Sequence, residues 1–248
     1  MSMSRSQLNY QSQKKEDGEL VKEILKIKEK HRYYGAPRVL NHLRRKGFVV
    51  NGKRVRRLLK VLNLLVSRKQ RTKKIYIVPS DKKPISNLIG EVWSMDFVTH
   101  RLIDGSSFRC FTIVDNLSRE VPGILARKSM EGFAPVDFLE KLRLEGKLPK
   151  HIILDNGSEF TSLPFVNWCK KNSVSLHFID RGKPVQNAYI ESFNGKFRIE
   201  FLNEHQFSSV KDVQRKLDGW LQYYNHERPH RSLDYLTPKE FEAQQRAC

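Results

Sequence analysis

Three neighbouring stretches decide the fold: EVWSMDFVTH (91–100), FRCFTIVDN (108–116) and EVPGILAR (120–127). Each is rich in the β-branched and aromatic residues that favour strands. Turn signals separate them, with an Asp-Gly pair at 104–105 and Asn-Leu-Ser at 116–118. Strand-like runs joined by short turns predict an antiparallel meander.

Helix-like and strand-like patterns alternate downstream of the meander. A helical segment at 131–145 precedes the apolar run HIILDNG (151–157), and the helix-like PFVNWCKKN (164–172) precedes VSLHFI (174–179). A long helical pattern then covers 187–203. These patterns predict an α/β fold, in which a mixed five-stranded sheet carries flanking helices.

Positive charge is concentrated upstream of the sheet. The chain has 248 residues and a formal net charge of +19, of which residues 1–90 carry +18 and residues 91–248 carry +1. Such a surface attracts a polyanion, and the release of counterions from nucleic acid is the usual source of that affinity. A basic membrane-surface helix is the weaker alternative, because the basic segment lacks an aromatic-rich apolar face.

Composition excludes several classes of protein. Hydrophobic residues at 39% and aromatic residues at 10% are typical of a globular chain. No run approaches the roughly 18 apolar residues of a membrane span, and the first 20 residues lack the apolar centre of a signal peptide. We therefore expect no membrane contact and a cytoplasmic, nucleoid-associated location. Cys110, Cys169 and Cys248 are expected to be reduced and mostly buried.

Apolar residues at helical spacing mark three short helices in the basic part. Gly35 and Pro37 signal the start of the second helix, Gly47 its end, and Asn51 the N-cap of the third. Three small helices with a tight turn before the last predict a helix-turn-helix, with a solvated basic connector as the alternative. The apolar positions are Leu20, Ile24 and Ile27, then Val39, Leu40 and Leu43, then Val55, Leu58, Leu59 and Leu62.

The third helix is the better candidate for the major groove of DNA, because cations surround its narrow apolar stripe. We predict a flexible N-terminus at 1–16, a helix-turn-helix domain at 17–66, a basic linker at 67–88 and a catalytic domain at 89–248. The cations of the third helix are Lys53, Arg54, Arg56, Arg57 and Lys60.

Three acidic residues stand where phosphoryl-transfer chemistry needs them. Asp96 lies inside an apolar strand, where an ionised carboxylate is costly unless it is paired or bound to a metal. Asp155 follows the apolar run HIIL, and ligands gather at such strand ends in open α/β sheets. Glu191 lies in the late helical pattern, with 35 residues between it and Asp155. Alone, each has an ordinary structural explanation, but together they predict a two-metal site.

Carboxylates suit this chemistry for a physical reason. Two Mg²⁺ ions about 3.5–4 Å apart stabilise the attacking and leaving oxygens of an in-line displacement at phosphorus. Mg²⁺ prefers anionic oxygen ligands and keeps some of its waters, so a few Asp and Glu side chains suffice. Mn²⁺ is expected to substitute.

These residues lie in motifs that resemble a known family. WSMDF (93–97), VDNLSR (114–119), LDNGSEF (154–160) and GKPVQNAYIESFNGKFRIEFLN (182–203) resemble the catalytic core of bacterial IS3-family insertion-sequence transposases. That family belongs to the DDE transposase and retroviral integrase superfamily. The resemblance implies an RNase H-like fold, with Asp96, Asp155 and Glu191 as the catalytic, metal-binding residues.

Two further segments extend the resemblance over nearly the whole chain. Residues 31–64 look like the helix-turn-helix that precedes the core in the family's second reading frame, and YNHERPHRSLDYLTPKEF (224–241) resembles its C-terminal signature. The resemblance implies a partner from the upstream reading frame or a frameshifted fusion with it, and a homo-oligomer on DNA.

The resemblance also suggests residues that contact DNA. Arg198, two helical turns after Glu191, matches a basic residue that the family places near the active site. Polar side chains in the loop before that helix, Lys183, Gln186 and Asn187, are expected to contact the strand being cut. Asp115 also ends a strand, but the family does not use that position as a ligand, so we predict a structural role.

Aromatic and histidine residues near the C-terminus have simpler explanations. Trp220, Tyr223 and Tyr224 are predicted to pack in the core rather than stack on bases. His226 and His230 are four residues apart, but no cysteine pair accompanies them, so we predict no zinc domain. They are expected to face phosphate or to pack.

The reaction that the resemblance implies is strand cleavage at the ends of an insertion sequence, followed by transesterification of the new 3′-hydroxyl into target DNA. No energy source is needed, and the sequence has no G-x-x-x-x-G-K-[ST] nucleotide loop. The alternatives are an RNase H-like nuclease that only hydrolyses and a catalytically inactive DNA-binding regulator. The basic arm disfavours the first, and the intact acidic trio disfavours the second.

Overall fold

A computed structural model of the chain describes residues 17–66, 84–130, 133–180 and 184–247. It divides into two compact units, residues 1–71 and 72–248. The predicted flexible N-terminus (1–16) lies outside the described residues, as does the predicted linker up to residue 83.

The first unit contains three helices packed on a small apolar core. They are α1 (Gly18–Lys30), α2 (Ala36–Arg45) and α3 (Gly52–Val61). Most of the predicted apolar positions are buried, whereas Leu40 and Leu62 are only partly covered. Ile24, Val39, Leu43, Val55 and Leu59 are inaccessible to solvent.

The predicted signals for helix ends are confirmed in this unit. Gly35 is the N-cap of α2 and Pro37 lies in its first turn. Gly47, at a φ of +85°, turns the chain after α2 in the left-handed region that glycine favours. Asn51 caps α3, since its side-chain oxygen accepts a hydrogen bond of 3.0 Å from the Lys53 N–H.

The second unit is built on the predicted mixed five-stranded sheet. The order across the sheet is β3-β2-β1-β4-β5. Strands β1, β2 and β3 form the antiparallel meander, while β4 is parallel to β1 and β5 is parallel to β4. The strands are β1 (Val92–Arg101), β2 (Ser107–Asp115), β3 (Ile124–Arg127), β4 (His151–Leu154) and β5 (Ser175–Phe178).

Helices cover both faces of this sheet. They are α4 (Ala134–Leu144), α5 (Leu163–Lys171), α6 (Ala188–Glu200), α7 (Val210–Gln222) and α8 (Pro238–Ala247). Short helical turns lie at Pro184–Asn187, Leu202–Glu204, Tyr223–Glu227 and Arg231–Leu233. The helix predicted at 187–203 therefore ends at Glu200, where Phe201 leaves helical geometry with φ −131° and ψ −62°.

The sheet separates two hydrophobic cores. One lies between the sheet and α6 and α7, and the other lies between the sheet and α4 and α5. Val98 belongs to the first core and Met95 to the second. Because side chains alternate along a strand, Asp96 shares the face of Val98, and Phe97 shares the face of Met95. The acid of β1 therefore points toward α6.

The predicted roles of the aromatic and cysteine residues are confirmed where the structure describes them. Trp220 and Tyr224 are buried with ring centroids 5.1 Å apart, and Tyr223 packs against the same core. Cys110 and Cys169 are buried, and burial raises the pKa of both thiols to about 12. Cys248 lies outside the described residues.

No helix in the described ranges combines the length and the apolar character needed to cross a membrane.

Candidate active site

The register of the parallel strands brings Asp96 and Asp155 to the same level. Strands β1 and β4 pair up to Ser94 and Ile153. Asp96 and Asp155 each stand two residues further along, and neighbouring strands lie about 4.8 Å apart. Side chains alternate along β1, so the Asp96 carboxylate projects from the face covered by α6. Asp155 stands one residue beyond the end of β4, close enough for its charge to act on Asp96. The sheet therefore places two acids from distant parts of the sequence side by side.

Glu191 reaches this position from α6. It lies exposed in the first turn of the helix, and α6 packs on β1 and β2. One turn later, the side chain of Asn194 donates a hydrogen bond of 2.8 Å to Asp96 Oδ2. This bond ties the face of α6 that carries Glu191 to the strand that carries Asp96.

The electrostatics of Asp96 reflect this convergence. Burial raises the pKa of the Asp96 carboxyl above its ordinary value, and the charges of Asp155 and Glu191 raise it further. The N–H of Phe97, 2.7 Å from Oδ1, and the amide of Asn194 act in the opposite direction but do not cancel the increase. A nearby cation would relieve this repulsion.

Asp155 is held by its own loop. Its Oδ1 accepts a hydrogen bond of 3.0 Å from the Gly157 N–H, as in an Asx turn. The side chain of Asn156 anchors the loop to the end of β5, donating to the Ile179 carbonyl over 2.7 Å. The DNG sequence therefore forms a turn and presents a carboxylate at the same time.

The donor set fits a hard divalent cation in its chemistry. Asp96, Asp155 and Glu191 offer carboxylate oxygens, which Mg²⁺ and Mn²⁺ prefer. The charges of Asp155 and Glu191 act on Asp96 directly. Among the residues that the structure describes, no three His, Cys, Asp or Glu side chains are gathered closely enough to hold a metal ion. Asp155 and Glu191 are thus within electrostatic reach of Asp96, and the three acids do not form a closed ligand cluster.

Asp115 lies elsewhere and has the structural role that we predicted. It is buried at the end of β2, where its Oδ1 accepts hydrogen bonds from the Leu117 N–H, the Ser118 N–H and the Ser118 hydroxyl. Its Oδ2 accepts a bond of 2.8 Å from the Gly90 N–H. These four bonds organise the loop after β2.

The residues expected to contact the cleaved strand have intramolecular partners. Asn187 is buried and donates to the Met95 carbonyl over 3.2 Å. Gln186 bonds to the backbone N–H and carboxylate of Asp180. Arg198 is exposed, and its guanidinium lies 3.2 Å from the Thr99 carbonyl, three residues beyond Asp96. Lys183 lies outside the described residues.

The five cations of α3 fall into two groups, according to whether they pair with Asp17. Lys53, Arg56, Arg57 and Lys60 are exposed. Arg54 and Arg57 both form ion pairs with Asp17, at the start of α1, with shortest distances of 2.5 Å and 2.8 Å. The sequence pattern did not separate these groups, because Asp17 lies far from α3 along the chain.

The two C-terminal histidines differ in their surroundings. His230 is buried and packs edge-on against Tyr224, with ring centroids 4.9 Å apart. His226 is exposed. Packing is therefore the observed role of His230.

Sequence reasoning missed Asn194 and Thr112. The Thr112 hydroxyl lies 3.0 Å from Asn194 Oδ1 and 3.0 Å from the Asp96 carbonyl oxygen. The spacing of Asn194 from Glu191 could have indicated its position, since residues three apart share a helix face. Nothing in the sequence indicated Thr112, because its role depends on the register of β1 and β2.

Comparison with known proteins agrees with this architecture. Two profiles described as "Integrase core domain" match residues 87–184 and 172–238, and one described as "HTH-like domain" matches residues 15–72. The insertion element IS407 31.7 kDa protein of Burkholderia multivorans is 36% identical over 246 residues, or 99% of this chain and 88% of the relative.

A more distant relative and a solved structure extend the comparison. The transposase for insertion sequence element IS904 of Lactococcus lactis is 27% identical, over 84% of this chain and 87% of the relative. A chain of the simian T-cell lymphotropic virus intasome has the same fold, with a TM-score of 0.55 and 16% identity over 89% of this chain and 74% of that chain.

The resemblance in the sequence motifs is thereby confirmed at the level of the family and of the RNase H-like fold. An identity of 36% extends over 88% of an insertion-element protein, and the helix-turn-helix and integrase matches follow each other in the expected order. The chain belongs to the IS3 family of insertion-sequence transposases, enzymes of the DDE transposase and integrase superfamily.

Proposed function

We propose that the chain cuts DNA strands at the ends of an insertion sequence and joins the resulting 3′-hydroxyl ends to target DNA in a reaction that depends on divalent metal. The single observation that carries this proposal is the hydrogen bond from Asn194 to Asp96, which docks the helix of Glu191 on the strand that pairs with β4, the strand that leads to Asp155, in a chain with an integrase core. We propose Asp96, Asp155 and Glu191 as the metal ligands and catalytic residues.

Two Mg²⁺ ions would supply Lewis-acid stabilisation of the attacking and leaving oxygens at phosphorus. The protein's own contribution is to hold the carboxylates in place. The Asn194 amide and the Phe97 N–H fix both oxygens of Asp96, and the Gly157 N–H fixes one oxygen of Asp155. Glu191 is exposed in the first turn of α6 and therefore accessible to substrate phosphate.

The same carboxylates would serve both chemical steps. In the first, water displaces a 3′-oxygen from phosphorus, and in the second, that 3′-hydroxyl displaces another 3′-oxygen in the target. Each step breaks one P–O bond and forms one, so the joining step conserves the number of phosphodiesters and needs no nucleotide. The function therefore requires a way to hold two DNA segments, in addition to the acidic site.

The first unit supplies a surface for holding DNA. The strong positive charge of residues 1–90 favours phosphate contacts, and Lys53, Arg56 and Lys60 are exposed on α3. Near the acids, Arg198 on α6 offers a further cation. We propose that the chain works as an oligomer on DNA at the bacterial nucleoid, together with an upstream-frame protein or as a fusion with it.

A strand-transfer assay with the full chain tests this proposal. Duplex DNA that carries the element's own ends is incubated with Mg²⁺, with Mn²⁺ or with EDTA, and cleaved and joined strands are quantified. We expect both products with either cation and neither with EDTA. Cleavage without joining would indicate a hydrolytic nuclease, and DNA binding without cleavage would indicate a regulator.

Variants assign the site within the same assay. Asp96→Asn, Asp155→Asn and Glu191→Gln each remove one ligand charge at nearly constant volume, so each is expected to abolish both products while DNA affinity is retained. Asp137→Asn is the matched control, because Asp137 is exposed on α4, on the opposite face of the sheet. Near-normal cleavage by any of the three acidic-site variants would remove that residue from the assignment.

A further inference from the structure

We propose that Arg109 is a positioning residue, which holds the loop of Asp155 against the strand of Asp96 from the opposite face of the sheet. The inference rests on the proposed function only in treating these two acids as ligands. Arg109 touches neither of them. It contacts instead one close sequence neighbour of each acid, Phe97 and Glu159.

The contacts of Arg109 bridge two separate parts of the site. The guanidinium carbon lies 4.5 Å from the centroid of the Phe97 ring, a cation–π distance. One of its terminal nitrogens, Nη1, donates to Glu159 Oε1. Phe97 directly follows Asp96, and Glu159 is the fourth residue after Asp155. A single side chain on β2 therefore fixes the segments that carry both acids.

The Phe97 side of this arrangement is rigid. The Phe97 ring stacks on Phe111 and on Phe160, with centroid distances of 5.1 Å and 4.9 Å. Phe160 follows Glu159, so the loop of Asp155 also packs on Phe97 through an aromatic contact. The Arg109–Glu159 pair thus closes over an aromatic cluster (Phe97, Phe111 and Phe160) that joins β1, β2 and this loop.

The Glu159 side needs a cation. Glu159 Oε2 and Asp155 Oδ1 both border Gly157, at 3.3 Å and 3.0 Å from the position that a β-carbon would occupy there. Two carboxylates around one glycine repel each other. Burial alone would raise the pKa of the Glu159 carboxyl. The hydrogen bond and the charge of Arg109 outweigh this effect, so the pKa of Glu159 lies below its ordinary value. Arg109 thereby supplies the positive charge that offsets the second carboxylate beside Gly157.

A direct contact with DNA is the competing role for Arg109. A cavity of about 480 Å³ borders Arg109, Lys128 and Ser129, and a phosphate could enter it. However, Arg109 is about one-third exposed and is already paired with Glu159. Its side chain also lies on the face opposite Asp96, since it shares a face with Phe97. These observations favour positioning.

The test compares four variants of the full chain. Arg109→Gln removes the charge, Arg109→Lys keeps the charge without the planar group, and Glu159→Ala removes the acceptor. The double variant R109E/E159R reverses the pair. Arg127→Gln is the matched control. Arg127 stands directly opposite Arg109 in the register of β2 and β3, so its side chain lies on the same face of the sheet, and it is exposed.

Two readouts separate positioning from other roles. The first is amide hydrogen exchange of residues 156–161 in metal-free protein, which needs no activity. The second is the Mg²⁺ concentration for half-maximal strand cleavage. We expect Arg109→Gln and Glu159→Ala to raise the exchange rate, and to raise the Mg²⁺ requirement by roughly 10- to 100-fold, as loss of a ligand-orienting partner does elsewhere. Arg109→Lys should be intermediate, the reversed pair should recover part of the loss, and Arg127→Gln should match wild type.

Other outcomes would overturn the inference. Wild-type exchange and Mg²⁺ requirement in Arg109→Gln would exclude a positioning role. A fall in DNA affinity alone, with exchange and Mg²⁺ requirement as in wild type, would assign Arg109 to phosphate binding. If Arg109→Gln fails to fold, Arg109→Lys and Glu159→Ala carry the same test. If wild type shows no metal-dependent cleavage, the proposed function fails, while the exchange measurement still decides whether Arg109 orders the loop.

Discussion

Asn194 donates its side-chain amide to Oδ2 of Asp96 over 2.8 Å, and this bond joins helix α6 to the central strand. The Thr112 hydroxyl orients this amide group, because it donates a hydrogen bond of 3.0 Å to the amide oxygen of Asn194. Glu191 lies one helical turn before Asn194, so the bond also sets how far Glu191 stands from Asp96. The geometry of the acidic site therefore depends on a neutral residue.

Replacing Asn194 by Asp should place a second negative charge beside Asp96. The resulting repulsion should depend on pH and on divalent metal. A carboxylate at position 194 would lie in contact with that of Asp96. Their mutual repulsion would raise the pKa values of these two acids in the folded state above those in the unfolded state. The folded state then binds more protons than the unfolded state, so stability falls as pH rises through these pKa values. We expect Asn194→Asp to be close to Asn194→Ala in stability near pH 4 and clearly less stable at pH 7.

Thermal unfolding of both variants at pH 4 and pH 7, with and without Mg²⁺, measures this effect. Asn194→Ala is the control, since it loses the same hydrogen bond without adding charge, at a cost of about 1–3 kcal/mol. Mg²⁺ should reduce the difference in melting temperature between the two variants at pH 7, because a cation relieves the repulsion and binds the folded state. A difference that is independent of pH would show that residue 194 does not face Asp96.

A side chain at Gly157 should weaken the proposed metal site. A β-carbon there would stand 3.0 Å from Asp155 Oδ1, so Gly157→Ala must displace the carboxylate or its loop. We expect a rise of about tenfold or more in the Mg²⁺ requirement for cleavage, with little change in melting temperature. Gly219→Ala on α7 is the control, because no atom lies within 4 Å of the added carbon. It should leave cleavage unchanged and stabilise the helix slightly.

Asp115 and Asp155 should respond oppositely to the same substitution. In Asp115→Asn the amide nitrogen would replace the oxygen that accepts from the Gly90 N–H, leaving two donors face to face. We expect a loss of about 1–3 kcal/mol in unfolding free energy with metal-dependent cleavage retained per folded molecule. Asp155→Asn should keep its stability and lose cleavage. Urea unfolding and cleavage assays on both variants check this, and loss of cleavage in stable Asp115→Asn would contradict its structural role.

Much of the fold could be predicted from local signals. The meander, the two later strands and the helix-turn-helix follow from residue type, periodicity and caps, which act over a few positions. Asp96 and Asp155 could be singled out because an acid in an apolar strand and an acid at a strand end are locally unusual, and Glu191 because of the 35 residues between it and Asp155. The helix predicted at 131–145 begins at Ala134 in the described residues, with Pro135 in its first turn.

The supporting contacts could not be predicted in this way. Arg109 and Glu159 are 50 positions apart, and Asp96 and Asn194 are 98 apart, so both pairs depend on strand register and helix docking. The same holds for Arg228, which looks like one more surface cation in the sequence. It is fully buried, and its bidentate bonds of 2.6 Å to Glu200 pin the end of α6.

The cations of α3 should contribute unequally to DNA binding. Asp17 holds Arg54 through Nε at 2.7 Å and Arg57 through Nη2 at 2.8 Å, with one carboxylate oxygen for each. These hydrogen bonds, that of Arg54 first, lower the pKa of Asp17, so it stays ionised at neutral pH. Asp17 therefore competes with DNA phosphate for two of the five cations.

Salt-dependent binding of the full chain to duplex DNA separates the two groups. Each phosphate contact contributes a slope of roughly −0.9 in log K against log salt. Replacing Lys53, Arg56 and Lys60 by Ala should flatten the slope by up to about three such contributions, whereas Arg54→Ala with Arg57→Ala should change it less per residue. Asp17→Asn should act in the opposite direction, tightening binding and steepening the slope, because both guanidinium groups then become available to phosphate. An unchanged slope in Asp17→Asn, together with equal losses per residue in the two sets of Ala variants, would show that DNA displaces Asp17 without cost and that all five cations reach the backbone.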